Sequence, residues 1–117
     1  TFYDSVAREM GMPAEFLMGF PIPRTKHSGS VGGYHCWTQV YVPNRGWMPM
    51  DISEADKHSD LVDYYYGTLD ADRVTMTMGK NIRLSSGKRV NYLVYPEVND
   101  EDRTTVSYSF SFTNIPL

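Results

Sequence analysis

Apolar residues recur every four positions at the start of the chain, at Phe2, Val6 and Met10. This spacing forms one stripe on an α-helix, so the sequence predicts a helix from Phe2 to Met10. Gly11 is a natural C-terminal cap, and Pro13 prevents the helix from continuing. Nothing in the sequence is expected to cap the N-terminal end of this helix.

The next segments have the alternation and composition of β-strands. Residues 16–20 are predicted to form a largely buried strand, and a loop rich in Ser and Gly follows at 24–33. Two aromatic-rich runs, 35–42 and 47–51, are separated by the turn-forming sequence at 43–46. The sequence therefore predicts a strand, a turn and a second strand over this stretch.

The remaining chain alternates short helical turns with strands. Ser53 can cap a first helical turn, and Ser59 or Asp60 can cap a second one from about Leu61 to Tyr66. Further strands are predicted at 74–78, 90–95 and 106–112, with an acidic turn at 99–102. This order indicates an α+β fold with an antiparallel sheet, and residues 1–117 are expected to be one domain or part of one.

Composition narrows the classes of function. The chain is 41% hydrophobic and 21% charged, which is ordinary for a globular domain. A net charge of −3 gives no basic footprint for nucleic acid, and no apolar run approaches the roughly 20 residues of a membrane span. The single Cys excludes an internal disulfide, and the spacing of His27, His35 and His58 fits no metal-site signature. We therefore expect no nucleic-acid partner, no membrane partner and no metal.

One histidine and one aspartate flank the predicted hairpin. Imidazole transfers protons near neutral pH, and a carboxylate behind it fixes its tautomer and orientation. The pleat places His35 and Asp51 on the same sheet face in either of two registers. A tight turn at 44–45 would set Asp51 opposite Gln39, roughly 13 Å from His35. Direct pairing of His35 with Asp51 would instead require a wide or bulged connection over 40–46.

Several motifs that follow one another in order resemble the transglutaminase-like superfamily. That family shows a His, a Trp two residues later, a strand, a turn with Gly-Trp, and an Asp. The corresponding residues are His35, Trp37, Gly46-Trp47 and Asp51. Upstream motifs are similar to the end of the family's first catalytic helix and the strand after it: Ala7-Arg8 and Gly11-Met12-Pro13-Ala14. Downstream motifs are similar to a bacterial subgroup: Ser53-Glu54-Ala55, Asp63-Tyr64-Tyr65-Tyr66-Gly67 and Leu69-Asp70.

The resemblance implies a papain-like, transglutaminase-like fold and a Cys-His-Asp triad that contains His35 and Asp51. In the family, the nucleophilic Cys stands at the start of the first helix, and the corresponding helix here has no Cys. We therefore expect that the chain begins a few residues after the nucleophile and is inactive by itself. Cys36 is not expected to replace it, because neighbouring strand residues point to opposite faces.

The resemblance also bears on the register and on three nearby residues. It favours the arrangement in which 35 pairs with 51 and 39 pairs with 47. Trp37 and Trp47 either line a substrate cleft or only pack against their neighbours. Gln39 stands where many relatives carry Glu, and it either supports the site by hydrogen bonds or has a structural role.

The resemblance implies a thiol hydrolase or acyltransferase of bacterial type that acts on peptide or amide bonds and needs no cofactor. Its expected partner is a peptide or protein substrate. The alternative from another class is a degenerate module used for binding or scaffolding. A sheet face left bare could also drive homodimerisation.

Overall fold

The computed structural model describes residues 1–98 and 103–116. Its first helix, α1, spans Phe2–Glu9. The expectation that nothing caps this helix is wrong. The Thr1 hydroxyl accepts from the Asp4 N–H, and the Asp4 carboxylate accepts from the Thr1 nitrogen at 2.6 Å. These reciprocal bonds form a capping box, for which Thr followed three residues later by an acidic residue is the sequence signal.

The strands lie in chain order at β1 (Ala14–Pro21), β2 (Ser28–Ser30), β3 (His35–Val42), β4 (Gly46–Met50), β5 (Arg73–Met78), β6 (Ile82–Arg83), β7 (Arg89–Val90) and β8 (Ser111–Thr113). Four of them form the main sheet in the order β4-β3-β1-β5, with every neighbouring pair antiparallel. The pairs β2–β8 and β6–β7 form two small sheets. Because β1 lies inside the main sheet, its residues are buried on both faces.

Helix α1 does not bury the apolar stripe from which it is predicted. The stripe residues are 87%, 39% and 70% exposed at Phe2, Val6 and Met10. The buried residues of α1 are Asp4 and Ala7, because the small side chain of Ala7 fits against Ala14 and Val40. Thr38 Oγ1 also donates to Asp4 Oδ1 at 2.5 Å. These contacts fix the rotation of α1 about its own axis.

Three short helical segments follow β4: α2 (Ile52–Lys57), a 3-10 turn (Ser59–Leu61) and α3 (Val62–Tyr65). The sequence-based α+β class, with a helix on an antiparallel sheet and short helices after the hairpin, is confirmed. Asp51 rather than Ser53 caps α2, since its carboxylate accepts from the Glu54 N–H. Within the described residues, no helix is long and apolar enough to cross a membrane.

Two predicted strands are too long. Of the strand at 90–95, only its first residue belongs to a ladder, and of the strand at 106–112 only the last two do. Alternating polarity predicts one-sided burial and does not specify a partner strand. Val94 is buried outside a ladder, in a core cluster with Phe16, Met18 and Phe20, whereas Val106 and Tyr108 are exposed. The acidic turn predicted at 99–102 lies outside the described residues.

The hairpin register differs from both arrangements considered from the sequence. Gln39 pairs with Pro49, and Val42 pairs with Gly46. The predicted pairing of 35 with 51 and 39 with 47 is therefore wrong, and so is the pairing of 39 with 51. The ladder runs without interruption to the end of β3, so no wide connection over 40–46 is present.

The turn explains this register. Arg45 N–H donates to the Val42 carbonyl at 3.0 Å, and Asn44 has a positive φ of 66°. Pro43 in the preceding position and a left-handed residue after it are the signature of a type II turn. This turn places three residues between the paired positions Val42 and Gly46, and it thereby sets every pair further along the hairpin.

Candidate functional site

His35 and Asp51 are hydrogen-bonded neighbours. His35 Nε2 lies 2.7 Å from Asp51 Oδ2, so the predicted contact between the two side chains is confirmed. The contact forms although the two residues are not paired in the ladder. Extending the register beyond Thr38 and Met50 sets Asp51 opposite Trp37, two positions along from His35. Diagonal neighbours on one sheet face are within reach of long side chains.

The backbone leaves the ladder at the point where the pair forms. Asp51 N–H donates to the Tyr65 carbonyl at 2.9 Å rather than to β3. Asp51 then becomes the N-cap of α2 and is fully buried. The hairpin and the start of α2 together fix the position of this carboxylate.

Four donors surround the Asp51 carboxylate. Oδ1 accepts from Ser53 Oγ at 3.0 Å and from the Glu54 N–H at 3.1 Å. Oδ2 faces His35 and also accepts from Arg73 Nη1. Burial by itself would raise the pKa of Asp51, but the bonds from His35, Glu54 N–H and Arg73 outweigh it and hold the pKa well below its usual range. Asp51 is therefore an anion at neutral pH.

The second ring nitrogen of His35, Nδ1, is available for proton transfer. With Nε2 against Asp51, no hydrogen bond to Nδ1 is present within residues 1–98 and 103–116. The His35 side chain is 17% exposed and borders a cleft of about 500 Å³. Other residues that line this cleft are Tyr34, Lys57, His58, Tyr65 and Arg73. The imidazole is thus held by Asp51 through Nε2 and is partly exposed beside the cleft.

Arg73 is the residue at this site that sequence reasoning missed. Arg73 is the first residue of β5. Gly19 of β1 allows β5 to approach β1 closely, because a Cβ at Gly19 would lie 1.9 Å from the Val74 carbonyl oxygen. Besides Asp51, the guanidinium binds Asp70 through Nη2 at 3.0 Å and Nε at 3.3 Å. The available signal was an Arg immediately before the strand predicted at 74–78, with an Asp three residues before that Arg.

The three supporting residues predicted from the sequence lie in different surroundings. Trp37 is buried, with its ring 6.1 Å from that of His35 and 5.2 Å from the Arg73 guanidinium carbon. Gln39 donates to Glu15 at 2.6 Å, and its position on β3 is four residues from His35, so it does not support the pair by hydrogen bonds.

Trp47 also lies away from the pair. It pairs with Tyr41 near the turn, six strand positions from His35, and packs edge-to-face on the Tyr41 ring at 5.7 Å. There it lines a separate cleft with Arg8 and Lys80, among others. Its predicted place in a cleft beside His35 and Asp51 is wrong, because β4 runs from the turn towards Asp51 and Trp47 stands at the start of that strand.

Cys36 points to the opposite sheet face from His35, as the strand period requires. It packs against the cluster of Phe16, Met18 and Phe20. Burial, and after it the negative charge of Asp51, raise the pKa of the Cys36 thiol. Cys36 is therefore a packed thiol. In the described part of the chain, no group of three or more His, Cys, Asp or Glu side chains could hold a metal ion.

Helix, sheet and polar pair together define an α+β domain with a histidine–aspartate dyad at the end of a hairpin. A family model described as the Transglutaminase-like superfamily matches residues 1–52, which contain both members of the dyad. Residues 1–52 are therefore similar to this superfamily. Comparisons with curated proteins and with solved structures found no match.

Proposed function

We propose that this chain supplies the His and the Asp of a Cys-His-Asp site that hydrolyses peptide or amide bonds, with the Cys in a segment that precedes Thr1. One observation carries the proposal. Nε2 of a cleft-bordering His35 is held by a buried, ionised Asp51, and Nδ1 remains open. This is the arrangement that a general base needs, because the carboxylate orients the ring and selects the tautomer.

The proposed reaction has two halves. The Cys gives its proton to Nδ1 of the neutral His35, the resulting thiolate attacks the amide carbonyl carbon, the C–N bond breaks, and the protonated His35 passes that proton to the leaving amine. A thioester remains on the Cys. His35 then takes a proton from a water molecule, the resulting hydroxide attacks the thioester, the C–S bond breaks, and His35 returns the proton to the sulfur, which releases the carboxylic acid and regenerates the thiol. Asp51 stays ionised throughout and stabilises the imidazolium.

The direction of α1 supports a thiol that arrives from before Thr1. Ala7 contacts Val40, and Asp4 contacts Thr38, so the N-terminal end of α1 points along β3 towards His35. Thr38 and His35 are three strand positions apart, about 10 Å. A helix axis advances that distance in about seven residues. By the strand period, Thr38 and Val40 face the side of the sheet opposite His35, so a residue a few positions before Thr1 would reach the imidazole around the end of β3, where His35 is the first residue.

The alternative is a transglutaminase-like module without catalysis, used for binding or scaffolding. It is favoured by one feature of this chain: its only Cys packs on the sheet face opposite His35. The two functions differ in which residue stands near His35, a few positions before Thr1. A Cys there supports the enzyme, and Ser, Ala or Gly supports the module.

The test uses the longer protein that includes the residues before Thr1. We expect a thiol-specific label to react with one Cys near neutral pH, and we expect the variant His35→Ala to lose most of that reactivity and the hydrolysis of a fluorogenic peptide amide. His58→Ala is the matched control, because His58 borders the same cleft but does not contact Asp51. Equal labelling and turnover in the His35→Ala and unmodified proteins would refute the proposal.

The chain without that segment gives a second test. We expect it to show no amide hydrolysis, and we expect Cys36→Ser to change nothing. Turnover by this chain that disappears in Cys36→Ser would show that the nucleophile had been assigned to the wrong segment. A fluorescent primary amine added to the longer protein distinguishes water from an amine as the acyl acceptor.

A further inference from the structure

We propose that Arg73 is a positioning residue of this site: it acts through Asp51 to keep His35 neutral, with the proton on Nε2 and the lone pair on Nδ1. In its meaning for catalysis the inference rests on the proposed function. Its structural content does not, because it concerns only groups that the described chain contains. Arg73 would touch neither the scissile bond nor the thiol, so its role is indirect.

The two partners of Asp51 Oδ2 carry the argument. His35 Nε2 and Arg73 Nη1 both face this one oxygen. Ser53 Oγ and the Glu54 N–H occupy Oδ1. The carboxylate therefore cannot rotate without breaking bonds on both of its oxygens. Since all four groups are donors when His35 carries its proton on Nε2, the arrangement favours that tautomer.

The charge balance decides which state of His35 is favoured. A general base must be neutral before it accepts a proton, yet an ionised carboxylate as buried as Asp51 requires a cation beside it. If His35 were the only partner, the pair would favour imidazolium to supply that cation. Arg73 supplies it permanently, because a guanidinium does not lose its proton in proteins. It also repels a second positive charge at the same oxygen.

Arg73 is itself held in place. Its side chain is 7% exposed, its Nη2 and Nε atoms bind Asp70, and its guanidinium lies over the Trp37 ring. Arg24 Nη2 binds the same Asp70 oxygen as Arg73 Nη2, Oδ2, at 2.6 Å. Trp37 and Asp70 thus keep the guanidinium directed at Asp51, which gives both residues a role that the hairpin alone does not suggest.

Ring-nitrogen chemical shifts of isotope-labelled histidine test the proposal on the 117-residue chain. These shifts distinguish imidazolium from each neutral tautomer. With only three His residues, the His35 signals are assigned by comparison with His27→Gln and His58→Gln. We expect neutral His35 in the unmodified chain to carry its proton on Nε2. In Arg73→Gln, we expect the ratio of imidazolium to neutral His35 at one near-neutral pH to rise at least about fivefold, because a nearby unit charge has been removed.

Two further variants complete the experiment. Arg73→Lys keeps a cation at Asp51, and we expect it to restore most of the original ratio. Arg83→Gln removes an exposed Arg from β6 and should leave the His35 shifts unchanged. A folded Arg73→Gln protein with unchanged His35 shifts would overturn the proposal. If Arg73→Gln does not fold, Arg73→Lys decides: shifts like those of the unmodified chain support the role, and a spectrum dominated by imidazolium or by the Nδ1–H tautomer refutes it.

The readout separates this inference from the proposed function. It needs neither a thiol nor turnover, so the absence of hydrolysis in the longer protein would leave the result at Arg73 standing. Conversely, unchanged His35 shifts in Arg73→Gln would remove the role of Arg73 and leave the dyad of His35 and Asp51 intact.

Discussion

Asp4 and Asp51 are both buried carboxylates at the start of a helix, yet they differ in what surrounds them. Asp4 binds Thr1 and the hydroxyl of Thr38. Asp51 binds an imidazole and a guanidinium. For both, burial would raise the pKa, and hydrogen bonds outweigh it and lower the pKa. Burial and a lowered pKa therefore do not mark a site. A proton-exchanging partner that reaches a cleft distinguishes Asp51 from Asp4.

The largest effect that separates the two carboxylates is expected from Asp51→Ala. The change leaves Arg73 buried beside an empty position and removes the N-cap of α2. We expect it to lower the free energy of unfolding by about 3–5 kcal/mol, measured by urea denaturation. Asp63→Ala, at an exposed position of α3, should change it by less than about 0.5 kcal/mol. A loss below about 1 kcal/mol in Asp51→Ala would mean that this network does not hold the hairpin to α2.

Acid is expected to destabilise the protein mainly through Asp51. Its pKa is lowered in the folded state, further than that of Asp4. As pH falls, the unfolded chain binds its proton first, at about pH 4, whereas the folded carboxylate resists. The contribution is therefore complete above about pH 4 and is lost progressively below it.

Urea denaturation at a series of acidic pH values measures this contribution. We expect Asp51→Asn to be less stable than the unmodified protein at neutral pH. Its acid limb, which is the fall in unfolding free energy as the pH decreases, should be flatter. Asp4→Asn should flatten the limb less. Parallel acid limbs for Asp51→Asn and the unmodified protein would show that the ionised form of Asp51 is not preferentially stabilised by folding.

Removing one donor from Asp4 should have a moderate, purely structural effect. Thr38→Val keeps the shape of the side chain but deletes the hydroxyl that donates to Asp4 Oδ1. We expect a loss of about 1–3 kcal/mol in unfolding free energy and no change in the ring-nitrogen shifts of His35. Thr75→Val, on an exposed strand position, is the control. A changed His35 spectrum in Thr38→Val would show that Asp4 and Asp51 are coupled, which would contradict the separate roles given to the two carboxylates.

The sequence predicts the presence of helices and strands more accurately than it predicts how they pack and pair. The apolar spacing of α1 predicts the helix correctly. Which face of α1 is buried depends on its contacts with Ala14 of β1 and Thr38 of β3. The pleat fixes the common sheet face of His35 and Asp51, because side chains alternate with a period of two. The register depends on the left-handed conformation of Asn44, which the sequence only permits.

The side chains of the site were likewise only partly predictable. The resemblance predicts that His35 and Asp51 form a pair, and the period of the strand excludes Cys36 from their face. The role of Arg73 was not predicted, because its contact with Asp51 spans 22 positions and depends on the approach of β5 to β1 at Gly19. Alternation predicted a strand over 106–112 that forms only at its end, because periodicity does not specify a partner strand, and Val106 and Tyr108 are exposed rather than buried.

The smallest effect tests whether the two oxygens of Asp51 have separate tasks. Ser53→Ala removes one donor from Oδ1 but leaves the Glu54 N–H on the same oxygen. We expect unfolding free energy to fall by only about 0.5–1.5 kcal/mol. The His35 shifts should remain unchanged, because His35 and Arg73 both bind Oδ2. Ser59→Ala, an exposed Ser in the 3-10 turn, controls for the loss of a hydroxyl. If Ser53→Ala changed the tautomer of His35, the carboxylate would have to act as one unit, and the assignment of support to Oδ1 and of proton chemistry to Oδ2 would fail.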